Sequence, residues 1–282
     1  MVKQMTNKEL THFKKEVLTA LDKYLTSLIS KGESSKATKI ITWIRDWTNF
    51  LKFENKFQSK RLPALQRGSI VSANLGFNLG QEYGGPHYGI VLNTSDSRRN
   101  SVVTILPLTS IKPETNLEHL EHFKLNLGDE LYQLLGLKLQ TKKAQLTEKQ
   151  AESNRQYSDI IERLSKLEQS LLVEFEEYSS DPITLAKRSQ AILSDMDGIT
   201  KDKESFEQLI DELDKEEEIL KNIARQVLKM KKGSIALLNQ VTTISKMRIF
   251  DPKNQTSVLY DIVLSKETMD RIDVALKNYI IK

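Results

Sequence analysis

The chain has 282 residues, 39% hydrophobic and 28% charged, with a net charge of +4 and no cysteine. Disulfides, thiol chemistry and cysteine-based zinc sites are thereby excluded, and so small a net charge does not by itself argue for nucleic acid. No apolar run approaches the ~20 residues of a membrane span, and the polar opening MVKQMTNKEL is no signal peptide, so a cytoplasmic protein without membrane contact is expected.

Residues 7–56 read as helical. Leu10, Phe13, Val17, Leu21, Tyr24, Leu25 and Leu28 recur at helical spacing, and KGESSK at 31–36 breaks the run. A second stripe passes through Ile40, Ile41, Trp43, Ile44, Trp47, Phe50 and Leu51. A helix pair with this much aromatic surface needs a partner to pack on, so Trp43, Trp47 and Phe50 are expected to be buried, either against the β-rich part of the chain or across a dimer. The segments GSIVSANL, YGIVLN and SVVTILPL that follow are short, β-branched and separated by turn residues, as is GSIALLNQVTTIS near the end. They predict strands.

From 129 to 232 the texture changes to Leu, Lys, Glu and Gln, with almost no Gly or Pro. Tyr157, Ile160, Leu164, Leu167 and Leu171 form one heptad-like seam. Phe206, Leu209, Leu213, Leu220, Ile223, Val227 and Met230 form another, interrupted at Glu216. Ser179-Ser180-Asp181-Pro182 lies near the middle, with Pro suited to the first turn of a new helix. An antiparallel coiled-coil hairpin is expected, with arms of ~50 residues or ~75 Å each. The seam weakens at Gln150, Ser153 and Gly198, leaving a bend or a three-helix arrangement open there. A hairpin returns the chain to where it left, so it can interrupt another domain. The final TMDRIDVALKNYIIK predicts an amphipathic helix with Thr268 as N-cap and Met269, Ile272, Leu276 and Ile280 on one face.

The four histidines are His12, His87, His119 and His122. His119 and His122 are three apart, but no HExxH pattern surrounds them and no metal site is expected.

Joined across the hairpin, the β stretches carry four fragments. They are Arg67-Gly68-Ser69-Ile70, the loop Gly80-Gln81-Glu82-Tyr83-Gly84-Gly85-Pro86-His87-Tyr88 leading into GIVLN, Pro107-Leu108-Thr109-Ser110, and NQVTTISKMRI at 239–249. In this order, with a helix after them, they resemble the MazF/PemK toxins. That family carries RG-[DE]-I, G-x-E-x-G-G-x-R-P, P-[LVI]-T-[SA] and E-Q-[IVP]-R-T-I-D-K-x-R-L. The resemblance covers residues 66–128 and 233–282. It implies an α+β chain built on an SH3-like small β-barrel of residues 61–128 and 233–282. Residues 1–60 would be an N-terminal helical extension and 129–232 an inserted hairpin. It further implies the toxin of a type II toxin–antitoxin pair, a homodimer restrained by a protein antitoxin. Such toxins are endoribonucleases that cut single-stranded RNA without metal or cofactor. The ribose 2′-OH attacks the neighbouring phosphate, leaving a 2′,3′-cyclic phosphate and a free 5′-OH.

In the family, the loop Arg and the Thr of the P-L-T motif are catalytic. Thr109 matches the second, and His87 stands where the Arg is expected. Glu82 matches a catalytic loop acid able to orient His87 or accept a proton. An imidazole, with an ordinary pKa near ~6.5, is a better proton shuttle than guanidinium. Equally, the exchange removes the bidentate phosphate fork and leaves a weak or dead nuclease. Thr109 could instead cap a turn, and Glu82 could be a solvated loop carboxylate. Thr242 and Ser245 replace the family's Arg and Asp. Arg98, Arg99, Lys112, Lys246 and Arg248 would hold phosphate, beside Gln81 and Ser110, while bases would stack on Tyr83, Tyr88 or Phe77. Two alternatives use the same fold. One is a catalytically inactive interaction scaffold with the hairpin as its reach. The other is a CcdB-like toxin that binds DNA gyrase, against which the P-L-T-S and G-x-E-x-G-G fragments speak.

Overall fold

The computed structural model describes residues 5–177 and 181–281. Its fold is α+β, with five α-helices and an open seven-stranded antiparallel sheet among the described residues. Contacts divide it into two compact units. One comprises Met1–Leu127, Ser234–Gln255 and Leu259–Lys282, and the other Gly128–Gly233 with Thr256–Val258. No helix among the described residues is long and apolar enough to cross a membrane.

The first unit opens with α1 (Asn7–Ser30) and α2 (Ser34–Phe53). Thr6 and Glu9 form a reciprocal capping box that satisfies two backbone donors at the start of α1. Gly32, at φ +81°, allows the reversal between the helices. Leu28, Ala37 and Ile40 form their buried contact, with Leu25, Ile44 and Phe77 packed on it. Within one chain the aromatic stripe is covered only in part. Trp43 is half-buried, but Trp47 is 51% exposed, as are Leu10, Phe13 and Val17 to similar degrees. The pair packs through one end of α1 and one flank of α2, which leaves the rest of both stripes uncovered.

The strands are β1 (Ile70–Asn74), β2 (Pro86–Val91), β3 (Val102–Ser110), β4 (Lys124–Gly128), β5 (Ser234–Leu237), β6 (Thr242–Ser245) and β7 (Ile249–Asp251). Their order is β4-β5-β3-β2-β1-β7, with β6 also paired to β3. β3 therefore has two partners along one side. Passing from Leu108, opposite Ala236, to Ile105, opposite Thr242, takes three residues on β3 and six on the segment that runs from β5 to β6. A 3-10 turn at Leu238–Gln240 takes up the difference. Val71, Ala73, Val91, Val103, Ile105, Ile244 and Ile249 are the core of this unit. All but Ala73 are β-branched, and along β1 and β3 they alternate inward as the pleat requires.

The last helix, α5 (Lys266–Ile280), is capped by Ser265, whose hydroxyl oxygen accepts the Thr268 N–H. Thr268, expected as the cap, is instead buried inside the first turn beside Met269 and Ile272. Ser265 lies three residues earlier, where its side chain reaches an unpaired amide. Arg67 donates to the Leu92 carbonyl and to the Asp273 carboxylate, tying the start of β1 to α5.

The second unit is a pair of 48-residue helices, α3 (Glu130–Glu177) and α4 (Pro182–Lys229), each about 72 Å long. Ser179 and Ser180 of the expected turn lie outside the described residues. Asp181 caps α4 by accepting from the Ile183 and Thr184 amides, and Pro182 opens the helix. Neither weak stretch of the seam interrupts its helix. α3 runs unbroken through Gln150 and Ser153, and α4 through Gly198. Polar pairs hold the helices together where apolar ones lapse. Lys149 Nζ lies 2.5 Å from Glu216, the residue that interrupts the seam. Arg163 reaches Asp202. A Cβ on Gly198 would stand 3.0 Å from the Arg163 guanidinium, so the glycine leaves that crossing open.

Candidate functional site

The loop between β1 and β2 is shaped by close backbone approaches. Leu75 N–H donates to the Gly85 carbonyl at 2.8 Å, and Gly85 N–H to the Gly76 carbonyl at 2.6 Å. A Cβ on Gly84 would lie 2.6 Å from that same Gly76 oxygen, so only glycine lets the two stems touch there. At Gly76, φ +92°, a Cβ would meet the Trp43 ring at 3.0 Å. Helix α2 thus presses an indole onto the base of the loop. Asn78 Nδ2 donates to the Leu75 and Tyr83 carbonyls. From the 3-10 turn between β5 and β6, Gln240 accepts the Tyr83 N–H at 2.9 Å and donates to the Gln81 carbonyl at 3.3 Å. Gln240 stands in the last of the four fragments, yet its clamping role was not anticipated.

This scaffold brings Tyr83, His87 and Thr109 together. The Tyr83 and His87 ring centroids are 4.1 Å apart, with planes inclined by 33°. The Tyr83 hydroxyl donates to the Leu108 carbonyl at 3.3 Å and is hydrogen-bonded by the Thr109 side chain. Strand register explains the meeting. Gly89 lies opposite Pro107, so the start of β2 and the end of β3 share one end of the sheet. His87 and Thr109 nevertheless open into different clefts, with Tyr83 between them. His87 lines a cleft of about 600 Å³ with Trp43, Asp46, Phe77, Glu82 and Phe250. Thr109 lines one of about 870 Å³ with Gln81, Tyr83, Ser110, Lys112 and His119. His87 and Thr109 thus belong to a three-residue arrangement in which Tyr83 is the link.

Electrostatics distinguishes the members. His87 Nε2 lies 3.0 Å from the Gly84 carbonyl, which can only accept, so Nε2 carries the proton and Nδ1 keeps a free lone pair. Burial lowers the imidazole pKa, partly opposed by that hydrogen bond, so the ring is neutral at neutral pH. Burial raises the Tyr83 pKa, with the Thr109 hydrogen bond opposing, so its hydroxyl stays a donor. Glu82 accepts the Leu79 N–H at 3.3 Å and so closes the loop tip while lining the His87 cleft.

The expected RNA contacts separate into groups. Gln81, Tyr83, Ser110 and Lys112 share the Thr109 cleft. Tyr88 follows His87 on the strand and so faces the opposite side, where burial and the Asp251 charge raise its pKa. Arg98 and Arg99 lie on the β2–β3 loop, at the other end of the sheet. Lys246 is withdrawn from the set. Its residue is 0% exposed and its ammonium is held by both oxygens of Asp96 at 2.7 Å and by the Ser97 carbonyl at 3.2 Å. Arg248 is likewise engaged within the protein, donating to the Asn74 carbonyl at 2.7 Å with its guanidinium 5.2 Å from the Trp43 ring centre. Burial lowers its pKa. His122 stacks with Phe123 and Tyr279, while His119 joins the Thr109 cleft.

No family model matches the chain, and no curated protein matches it.

Proposed function

We propose that the chain is a metal-independent endoribonuclease of the MazF/PemK type, a homodimeric cytoplasmic toxin that cuts single-stranded RNA and is restrained by a protein antitoxin. One observation carries this: a neutral loop imidazole and a strand-end threonine meet on opposite sides of one tyrosine, on the loop and strand where the four fragments place catalysis. In support of an SH3-like barrel, β3 is shared by two successive partners across a three-residue slip, as happens when a small sheet curls.

The chemistry follows from the donor and acceptor set. His87 Nδ1 accepts the proton of the ribose 2′-OH as its oxygen bonds to phosphorus. The bond from phosphorus to the 5′-oxygen breaks, and that oxygen takes a proton from the Tyr83 hydroxyl, which Thr109 orients. The products are a 2′,3′-cyclic phosphate and a 5′-OH. Gln81, Ser110 and Lys112 line the adjoining cleft and are assigned to the RNA backbone.

A catalytically inactive docking scaffold is the second proposal, favoured by the engagement of His87 with both Gly84 and the Tyr83 ring. Incubating the chain with a long unstructured RNA in EDTA separates the two. Cleavage leaving cyclic phosphate ends supports the nuclease, and intact RNA at high protein concentration supports the scaffold.

A further inference from the structure

Two segments distant in sequence meet beside the β2–β3 loop. Ser59 Oγ donates to the Arg98 carbonyl at 2.8 Å, and the Leu65 N–H donates to Asp96 at 3.2 Å. The stretch after α2 therefore runs along the loop after β2. It brings Lys56, Lys60 and Arg61 to the side of Arg98 and Arg99, and all five are exposed. None has an ion-pair partner among the described residues.

The acids that could offset them are few. Residues 53–66 contain only Glu54, and residues 92–101 only Asp96. Asp96 is turned inward onto Lys246, with its side chain 1% exposed. Burying that pair takes the loop's one carboxylate off the surface and leaves the exposed charges of these two segments positive but for Glu54. Two phenylalanines interleave with the cations. Phe53 is 50% exposed, and its ring centroid lies 6.4 Å from that of Phe57. Exposed cations alternating with an open aromatic face suit a flexible polyanion whose bases can stack.

We infer that this surface binds the phosphate backbone of single-stranded RNA independently of sequence, at the end of the sheet away from His87 and Thr109. The choice of RNA over another polyanion rests on the proposed nuclease function and on the aromatic faces. His87 is separated from the end of β2 by four residues, about 13 Å of strand, with the loop beyond. A strand of RNA held here would be anchored while a distant part of it enters the catalytic clefts.

The test uses the full chain and a fluorescein-labelled 2′-O-methyl oligoribonucleotide, which cannot be cleaved because the attacking hydroxyl is blocked. Anisotropy gives the affinity at rising KCl for the parent and for Lys60→Ala/Arg61→Ala/Arg98→Ala/Arg99→Ala. Each lost phosphate contact flattens the salt slope by about 0.7, so the quadruple variant should be flatter by about 2.8. It should bind at least about ten-fold more weakly at low salt, for U-rich and A-rich oligomers alike. Circular dichroism confirms that these exposed substitutions leave the fold intact, and Arg98→Glu/Arg99→Glu provides a second variant with a larger expected loss. Equal affinity and slope in parent and variants would overturn the inference. So would a polyglutamate peptide that displaces the oligomer at equal charge, which would assign the surface to an acidic protein. Because the oligomer is uncleavable, binding can succeed even if catalysis fails. Normal cleavage of natural RNA with an unchanged slope would sink only the surface.

Discussion

Lys246 Nζ lies 2.7 Å from both carboxylate oxygens of Asp96, and each of these side chains is only 1% exposed. Asp96 also accepts the Leu65 N–H, so one buried carboxylate joins the turn after β6, the β2–β3 loop and the stretch before β1. Removing one partner leaves the other charge buried and alone. Lys246→Met should cost about 3–5 kcal/mol in urea unfolding, with most of it restored by adding Asp96→Leu. A loss under about 1 kcal/mol in the single variant would show that the pair is hydrated.

That pair also marks where sequence reasoning stopped. A lysine two residues before an arginine, at the end of a predicted strand, reads as surface charge. Its burial is decided by an aspartate 150 residues away, which no local pattern reveals. β1, β2, β3, β5 and β6 were legible because β-branched runs between turn residues need only local information, whereas the short β4 and β7 carry no such run. The interrupted seam was legible as an interruption, but Glu216 has its reason in Lys149 on the other helix. Thr268 and Ser265 are both good caps by type, and helix length decided between them. The loop residues of the site could be located by their fragments, whereas the insertion of Tyr83 between His87 and Thr109 depends on a Gln240 clamp from a turn 157 residues away in sequence.

The His87 pKa is lowered in the fold, so the unfolded chain takes up its proton first as pH falls. Stability contributed by the neutral ring is therefore present above the ordinary value of about 6.5 and declines as pH drops through that value toward the lowered one. Thermal melts of the parent should weaken over this window, and His87→Gln should weaken less. Parallel pH profiles for the two proteins would refute the assignment.

Tyr83→Phe keeps the ring on His87 and removes only the hydroxyl. Loss of one well-placed donor costs about 10²–10³ in kcat, so cleavage should fall by that factor without a matching rise in KM. Thr109→Ala should show a similar direction. His87→Arg should lose cleavage, because guanidinium cannot accept the proton at neutral pH. Activity at or above the parent level in His87→Arg would mean that the position needs charge alone.

Gly198→Ala tests the hairpin. Its new methyl would meet the end of the Arg163 side chain at 3.0 Å, a flexible tip that can swing aside. The gain in helix propensity, about 1 kcal/mol, should then prevail and raise the unfolding midpoint of α3–α4. A lower midpoint would show that the Arg163–Asp202 pair contributes more than the propensity does.

β4 ends at Gly128 and its neighbour β5 begins at Ser234, so adjacent strands are separated by about 105 residues of chain. Joining two points through a flexible tether of that length costs about 4 kcal/mol in chain entropy, against about 1 kcal/mol for a four-residue turn. Two helices that zip along each other shorten the tether before the strands ever meet. The insertion can thus act on folding as though it were a tight hairpin turn. Exchanging Glu130–Met230 for a short Gly/Ser bridge should therefore leave the refolding rate of the sheet close to that of the whole chain, despite the loss of more than a third of its residues.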